Sequence, residues 1–290
     1  NAGSGIFVES LFVSPPVLKN LEVVGNAQHG IQIDNNVTIE DSLIANNGMN
    51  GIHGFLRTFT VRGTQITGHG IGINNPLGTV TLEDSVITDN GTGIVTQNLT
   101  ASGNDFRGNT TTITGVRTAT ISNTVIADTT LGINSDTNAA TSINLENMTF
   151  ALGSGLAVRL NAGALSVGNS IFSVGNGNAV QLLGGGTVSS DYNLFFFGSS
   201  GGVGGIAAPT LEAWRGLTGG DVNSLVADPL FVDPANGDFN LQSGSQLIDS
   251  GVALTQFNTP GSEWPSSGLP DIGAFEFDSG PAAPEINILN

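Results

Sequence analysis

The chain contains no cysteine, so it can form neither a disulfide nor a thiolate metal site, and it has no thiol nucleophile. Basic residues are scarce as well: 7 lysines and arginines stand against 24 aspartates and glutamates, which gives a formal net charge of −17. Such a surface repels nucleic acids and anionic membranes, and it repels acidic polysaccharides unless a cation intervenes. We therefore expect no nucleic-acid partner.

Long apolar runs and aromatic side chains are also lacking. No apolar run approaches the roughly 18 residues of a membrane-spanning helix, so no membrane insertion is expected. Residues 1–5 lack the basic and apolar regions of a signal peptide and resemble the middle of a repeat, which favours a processed or truncated piece of a longer protein. Aromatics make up 6% of the chain whereas 42 of its 290 residues are glycine, a composition that suits a narrow core with many tight corners.

What the sequence does contain is a repeat of about 21 residues. Residues 37–44 (Val-Thr-Ile-Glu-Asp-Ser-Leu-Ile) overlay on residues 80–87 (Val-Thr-Leu-Glu-Asp-Ser-Val-Ile). A period of this length predicts a solenoid in which each repeat is one coil. The final apolar residue of each repeat serves as a register marker, and the markers are Val24, Ile44, Ile66, Ile87, Phe106, Ile126, Phe150, Phe172 and Phe195.

Each repeat contains three short strand signals. Apolar residues lie seven and five positions before the marker, as in Val37 and Ile39, and this period of two indicates a strand with one buried face. A third strand follows the Gly/Asn-rich loop after the marker, as in residues 51–53. Parallel sheets that stack equivalent residues at about 4.8 Å per coil accommodate this pattern. The predicted fold is all-β: a right-handed parallel β-helix of about 8–9 coils with a C-terminal β-rich cap.

A column of residues that tolerate a left-handed backbone stands three positions before the marker. Glycine lacks Cβ, and the short side chains of Asn and Asp bond locally, so all three types can adopt a positive φ. We predict a tight corner there, and we expect Asn147 and Asn169 to bond backbone groups of adjacent coils. The predicted corner column comprises Asp41, Gly63, Asp84, Gly103, Asn123, Asn147 and Asn169.

Four regions are predicted along the chain. Residues 1–200 form the coils, and residues 201–220 form a Gly-rich loop and a short helix with Thr210 as its N-cap. Residues 221–280 form the cap, and residues 281–290 form a linker and a strand-like tail. The large apolar residues of the cap that we expect to be buried against the last coils are Phe231, Phe239, Ile248 and Phe275.

The C-terminal segment carries a family resemblance. It contains Asp228-Pro229-Leu230-Phe231 and Asp271-Ile272-Gly273-Ala274-Phe275-Glu276. Together with the coils, these segments resemble bacterial secreted right-handed β-helix proteins that end in a choice-of-anchor type segment. The resemblance implies an extracellular or cell-surface bacterial protein, commonly large and multidomain. It does not imply one activity, because the group includes carbohydrate-active enzymes, adhesins and structural proteins.

No catalytic residue is predicted, because the residue groups that β-helix enzymes need are missing. Polysaccharide lyases on this fold need a basic catalyst beside a cation, and glycoside hydrolases need clustered carboxylates. The column Glu40, Arg62 and Glu83 comes closest, and stacking at about 4.8 Å favours an outward ion ladder over an active site. Gly68-His69-Gly70 resembles the Gly-His-Gly of polygalacturonases, but the accompanying aspartates are absent, and a turn is favoured.

One turn offers oxygen ligands. Asp233, Asn236 and Asp238 would suit Ca²⁺, and turn capping by the same side chains is the favoured interpretation. We therefore predict no metal and no cofactor, with Ca²⁺ as the alternative. His29 and His53 are expected to be surface histidines.

The sequence favours a structural or adhesive β-helix module of a larger extracellular surface or filament-forming protein. Flat strand faces covered by Thr, Ser and Asn support this function, as does a strand-like tail after Pro281. The expected partners are other domains of the parent protein or neighbouring copies. The alternative is a polysaccharide-binding or polysaccharide-cleaving β-helix, a lyase or a hydrolase, whose partner is carbohydrate. The missing catalytic groups favour a protein that is not an enzyme.

Overall fold

The computed structural model describes residues 2–9, 14–137, 140–204, 208–253 and 268–277. In this part of the chain the strands stack in parallel into about nine coils of about 21 residues. The predicted fold class is confirmed, because the chain is a parallel β-solenoid. The predicted tail, residues 281–290, lies outside the described residues.

Twenty-four strands build the solenoid sheet. In several coils two neighbouring strand signals of the sequence merge into one long bent strand. The strands are β1 (Ile6–Val8), β2 (Val17–Lys19), β3 (Glu22–Val24), β4 (Ile31–Ile33), β5 (Val37–Glu40), β6 (Leu43–Ala45), β7 (Asn50–Gly54), β8 (Thr58–Arg62), β9 (Gln65–Thr67), β10 (Ile71–Glu83), β11 (Val86–Thr88), β12 (Thr92–Ser102), β13 (Asp105–Arg107), β14 (Thr111–Val116), β15 (Thr118–Ala127), β16 (Leu131–Ser135), β17 (Ser142–Leu152), β18 (Leu156–Leu160), β19 (Ala164–Gly168), β20 (Ile171–Val174), β21 (Asn178–Leu182), β22 (Thr187–Asp191), β23 (Leu194–Phe197) and β24 (Leu225–Val226).

The core consists of columns of identical repeat positions. From Ile44 onward each predicted marker pairs with the marker of the next coil, and all of these residues are buried. Toward the C-terminal end the column is aromatic: the ring centroids of Phe150 and Phe172 are 5.0 Å apart, and those of Phe172 and Phe195 are 5.3 Å apart. Each coil therefore buries its apolar side chains against the coils on either side, as expected for a solenoid.

The first marker is wrong by one residue. Val23, not Val24, pairs with Ile44, and Val23 is buried while Val24 is 42% exposed. The corner of this coil is Asn20, whose φ is 54°, and it lies three residues before Val23. Since a one-residue shift turns a strand side chain to the opposite face, the corner residue fixes which valine enters the core.

Beyond the last regular coil, helix α1 (Leu211–Thr218) covers the core. Its predicted N-cap is confirmed, because the Thr210 side chain accepts a hydrogen bond from the Ala213 amide. Gly219 ends the helix with a left-handed backbone, φ 74°. Leu211 and Trp214 of the helix are buried in the same hydrophobic cluster as the coils.

The C-terminal segment lies along the flank of the solenoid. Strands β25 (Phe231–Asp233) and β26 (Asp238–Leu241) form an antiparallel pair joined by a 3-10 turn. Phe231 and Phe239 are buried as expected and Ile248 is partly buried, but Phe275 is 36% exposed, so its predicted burial is wrong. The apolar residues that complete this second core are Val125, Ala127, Ile171, Leu194, Leu241, Leu247, Ile272 and Ala274.

No helix in the described part of the chain is long and apolar enough to cross a membrane.

Candidate functional site

The predicted corner column adopts a left-handed backbone throughout. The φ values of its seven residues lie between 48° and 70°. In the N-terminal coils these residues are exposed or half-exposed, whereas Asn147 and Asn169 are buried. Their partners differ from the expected adjacent coils: Asn147 Nδ2 donates to the Asp271 carbonyl and Asn169 Nδ2 to the Val252 carbonyl. These two corners therefore fasten the C-terminal segment to the coils.

A buried polar ladder follows directly after each corner, and the sequence interpretation missed it. The hydroxyl of Ser85, for example, accepts from the Thr64 amide at 3.2 Å, and the Ser85 amide donates to Asn104 Oδ1 at 3.0 Å. Met148 interrupts this ladder, which resumes with Ser170 and Asn193. These bonds satisfy backbone groups that the corner would otherwise leave unpaired.

A second corner lies two residues after the marker, and His69 belongs to the ladder beside it. His69 is 5% exposed, its amide donates to Asn90 Oδ1 at 3.0 Å, and its ring lies 3.1 Å from Asn47 Nδ2. Burial lowers the pKa of His69 below its ordinary value. The imidazole therefore occupies a position that asparagine holds in neighbouring coils. An Asn-Asn-Gly or Asp-Asn-Gly sequence after the marker is the signal of this corner (residues 46–48 and 89–91).

His29 and His53 stack on each other in adjacent coils. Their ring centroids are 4.3 Å apart with an interplanar angle of 14°. Burial lowers the pKa of both rings, and for His29 the nearby His53 lowers it further. Both histidines are half-buried, so the expectation of simple surface histidines is only partly met.

The column Glu40, Arg62, Glu83 is in register on the outer face. Arg62 Nε lies 2.5 Å from Glu83 Oε2, and Arg62 Nη1 lies 3.8 Å from Glu40 Oε1. Lys19 extends the column, with its ammonium 3.2 Å from Glu40 and 3.1 Å from Asp41. The hydrogen bond to Glu83 raises the pKa of Arg62. Both basic groups are thus held by carboxylates on an exposed surface, and neither is available as a catalytic base.

We expect Arg62→Gln to leave the fold intact. Exposed ion pairs contribute about 0–1 kcal/mol, because solvent screens them, so the free energy of unfolding should change by about 1 kcal/mol or less in a denaturant titration. Arg117→Gln, which removes a half-buried ion pair with Asp136, is the control. A loss well above that of the control would show that the column carries a larger structural role.

The predicted calcium turn is arranged by its own side chains. Asp233 accepts from the Asn236 backbone amide at 3.4 Å and from its side chain at 2.7 Å, and Gly237 follows with φ 81°. Asp238 accepts from the Asn240 side chain at 2.7 Å. Arg107 reaches this turn from the coils and lies 5.3 Å over the Phe239 ring. Within the described residues no group of three His, Asp or Glu side chains is placed to hold a metal.

Asp221 is a buried hub that joins the last coil to helix α1. Its carboxylate accepts from Trp214 Nε1 at 2.8 Å, from Ser224 Oγ at 2.6 Å and from Asn193 Nδ2 at 3.0 Å, and Ser190 Oγ also donates to it. The residue is fully buried. Four donors compensate the cost of burying this acceptor, which identifies Asp221 as structural.

Three further acidic groups lie buried or half-buried near the C-terminal segment. Burial raises the pKa of Glu276 to about 7 and also raises that of Asp271. The Asp271 amide donates to Glu276 Oε1 at 2.9 Å, and Asp271 accepts from the Asp249 amide at 2.7 Å. On β17, burial raises the pKa of Glu146 to about 8, and its Oε2 has no hydrogen-bond partner in the described part of the chain.

These raised pKa values predict a stability that falls with rising pH. A carboxyl whose folded pKa is raised binds its proton more tightly in the folded state, so its contribution is complete below about pH 4.5 and is lost as the pH rises through 7 and 8. The stability that these two carboxyls contribute should therefore decrease between about pH 5 and 8. In urea titrations at pH 5 and pH 8, Glu146→Gln should make the loss of unfolding free energy between the two pH values smaller by on the order of 2–4 kcal/mol. Glu22→Gln, at an exposed position, is the control. An unchanged slope in the Glu146 variant would contradict the assignment.

A cleft opens beside helix α1, and we name it the Arg159 cleft. Its volume is about 590 Å³. The third-strand positions of two coils form one wall, and the helix contributes the other. Its principal lining residues are Leu156, Arg159, Asn178, Gln181, Trp214 and Leu217.

Comparison with family models, with curated proteins and with solved structures finds no match for this chain. The geometry alone therefore defines its class, a parallel β-solenoid flanked by a C-terminal segment.

Proposed function

We propose that the chain is a structural or adhesive module of a larger extracellular surface or filament-forming protein. One observation carries the proposal: an outer face of the solenoid bears two adjacent columns of short polar side chains across successive coils. We name it the threonine face, and its residues are Thr58, Thr60, Thr79, Thr81, Asn98, Thr100, Thr118 and Thr120.

The threonine face has the properties of a contact surface. Its side chains are uncharged, and in the described structure the hydroxyls of Thr60, Thr81 and Thr100 have no hydrogen-bond partner within the protein. Equivalent positions repeat at about 4.8 Å from coil to coil, and alternate residues of one strand stand about 7 Å apart. A flat, regular row of free donors and acceptors can bind an extended partner at many points without enclosing it.

The coil stack supplies the mechanical part of the proposal. Successive coils are bonded through strand ladders, and in the coils up to Asn109 the buried side chains beside both corners add further bonds. A solenoid of this kind transmits load from coil to coil, because each repeat contacts only its neighbours. Other domains of the parent protein or neighbouring copies are the partners that such a module would space or join.

An enzymatic function is the weaker alternative. Arg62 is held between two glutamates, His69 is buried in a ladder, and the Arg159 cleft has no carboxylate among its lining residues. Hydrolysis of a glycosidic bond needs two carboxyl groups flanking the bond. The Arg159 cleft supports polysaccharide binding without cleavage, and such binding is compatible with an adhesive role. A bacterial, extracellular origin is proposed from the resemblance of the C-terminal segment.

The adhesive role can be tested with paired variants. Thr81→Glu with Thr100→Glu places two like charges in adjacent coils of the threonine face, and Thr92→Glu with Thr111→Glu does the same on a different face. We expect the chain to be retained on insoluble polysaccharides or to self-associate in sedimentation experiments, with retention reduced several-fold only by the first pair. Absence of both retention and self-association, or equal losses in two folded variants, would overturn the adhesive role of this face.

A further inference from the structure

Arg159 faces an open cleft and has no acidic partner among the described residues; Arg57 and Arg215 also make no ion pair there, but neither of them lines this cleft. Lys19, Arg62, Arg107 and Arg117 each lie within 4.0 Å of a carboxylate. Arg159 instead donates from Nε to Gln181 Oε1 at 2.9 Å, and it makes no ion pair in the described structure. In a chain of net charge −17, a cation left without a carboxylate stands out.

The polar groups around Arg159 are mostly donors. The Nε–Gln181 bond leaves the two terminal nitrogens of the guanidinium without a protein partner in the described structure. The side-chain amide of Asn178 and the Nε2 of Gln181 likewise make no hydrogen bond in the described structure. The planar guanidinium fork matches a carboxylate through two parallel hydrogen bonds. Donors without a competing acid in the lining therefore select an anionic group.

The rest of the cleft suits the uncharged part of a compact ligand. Leu156 is half-buried and Leu217 is 58% exposed, so apolar surface lines the space beside the polar groups. A volume of about 590 Å³ lies within the usual range for ligand sites, about 300–1,000 Å³. Apolar walls with a few convergent polar groups are the usual composition of such sites.

We infer that the Arg159 cleft binds an acidic sugar, with the carboxylate of a uronate residue on the Arg159 guanidinium. Asn178 and Gln181 are placed to bond sugar hydroxyls, and Leu156 and Leu217 to contact the apolar side of the ring. This site goes beyond the scaffold role, because a rod could space or join other domains without it. The cleft supplies no pair of carboxyls for hydrolysis, and its one basic group is assigned to binding the uronate carboxylate rather than to removing a proton, so binding without cleavage is expected.

The test uses two ligands that share one sugar backbone and differ in whether their carboxyls are ionised or esterified, measured on the full chain by calorimetry. Trigalacturonate should bind, and its fully methyl-esterified form should bind at least tenfold more weakly. Arg159→Gln should weaken trigalacturonate binding at least tenfold, whereas Arg117→Gln, which removes a cation outside the cleft, should leave it unchanged. Leu217→Trp should narrow the cleft and weaken both ligands, and its exposed position leaves the fold intact.

Several outcomes would overturn the inference. The inference fails if trigalacturonate does not bind at millimolar concentration, or if the acid and its ester bind equally well. It also fails if Arg159→Gln binds trigalacturonate with full affinity. A trisaccharide of neutral sugars that carries sulfate esters would also overturn the carboxylate assignment if it bound more tightly than trigalacturonate. The Thr81→Glu, Thr100→Glu variant should bind trigalacturonate normally, so loss of adhesion through the threonine face and loss of sugar binding in the cleft can be told apart.

Discussion

Replacing Asp221 by alanine should lower the free energy of unfolding by about 3–5 kcal/mol, the largest effect we expect from a polar substitution in this chain. The change removes the acceptor of four side-chain donors: Trp214 Nε1 stays buried without an acceptor, and Asn193 Nδ2 keeps only the Val167 carbonyl at 3.3 Å. The left-handed backbone at this position, φ 57°, adds strain for alanine. Urea titration followed by tryptophan fluorescence would measure the loss.

Asp191→Ala provides the matched control for Asp221. Asp191 also accepts hydrogen bonds from side-chain and backbone groups, among them those of Asn223, but it is only half-buried. Its loss should cost about 1 kcal/mol, because water can replace the protein donors. Equal costs for the two variants would show that the buried hub is not the main connection between the last coil and helix α1.

Replacing Asn169 by valine should cost about 3–4 kcal/mol. Asn169 combines a φ of 49° with two side-chain hydrogen bonds to Val252, one donated at 2.8 Å and one accepted at 3.0 Å. The β-branched valine disfavours the left-handed backbone by about 1–2 kcal/mol and makes neither bond. Thermal melts should record the loss, and limited proteolysis should cut the C-terminal segment sooner.

Asn123→Val separates strain from docking. Asn123 has nearly the same φ, 48°, but it is half-exposed, and its side chain makes no hydrogen bond to the C-terminal segment in the described structure. We expect a loss of only about 1–2 kcal/mol from backbone strain. The contrary result is that the two valine variants lose the same stability and have C-terminal segments that are cut by protease at the same rate. That result would show that the corner at Asn169 does not fasten the segment to the coils.

The coil register was predictable from the sequence because it depends on local repeats. The first corner is recognised by Asn, Asp or Gly residues, which favour a left-handed backbone, three positions before the marker. The predicted pairs of apolar residues that precede each corner, such as Val37 and Ile39, are buried. The exception is the first coil, where Val23 and not Val24 is the core residue, because the corner of that coil is Asn20. Where the corner is known, the period of two fixes the rest of the strand.

The features that occur once could not be predicted in this way. Asp221 meets Ser190 and Asn193 across about one and a half repeats of sequence, and the described residues contain no second copy of that arrangement. The partners of Asn147 and Asn169 depend on where the C-terminal segment turns back along the flank. The Arg159 cleft needs the position of helix α1, which tertiary packing determines.

The central claim is that this solenoid binds and supports without cleaving, and a polysaccharide turnover assay tests it most directly. The full chain would be incubated with polyuronates and neutral polysaccharides, with and without Ca²⁺, while new reducing ends and unsaturated products are recorded. We predict retention on at least one polysaccharide and no new chain ends. Cleavage that disappears in Arg62→Gln or Arg159→Gln would contradict the claim and establish an enzyme.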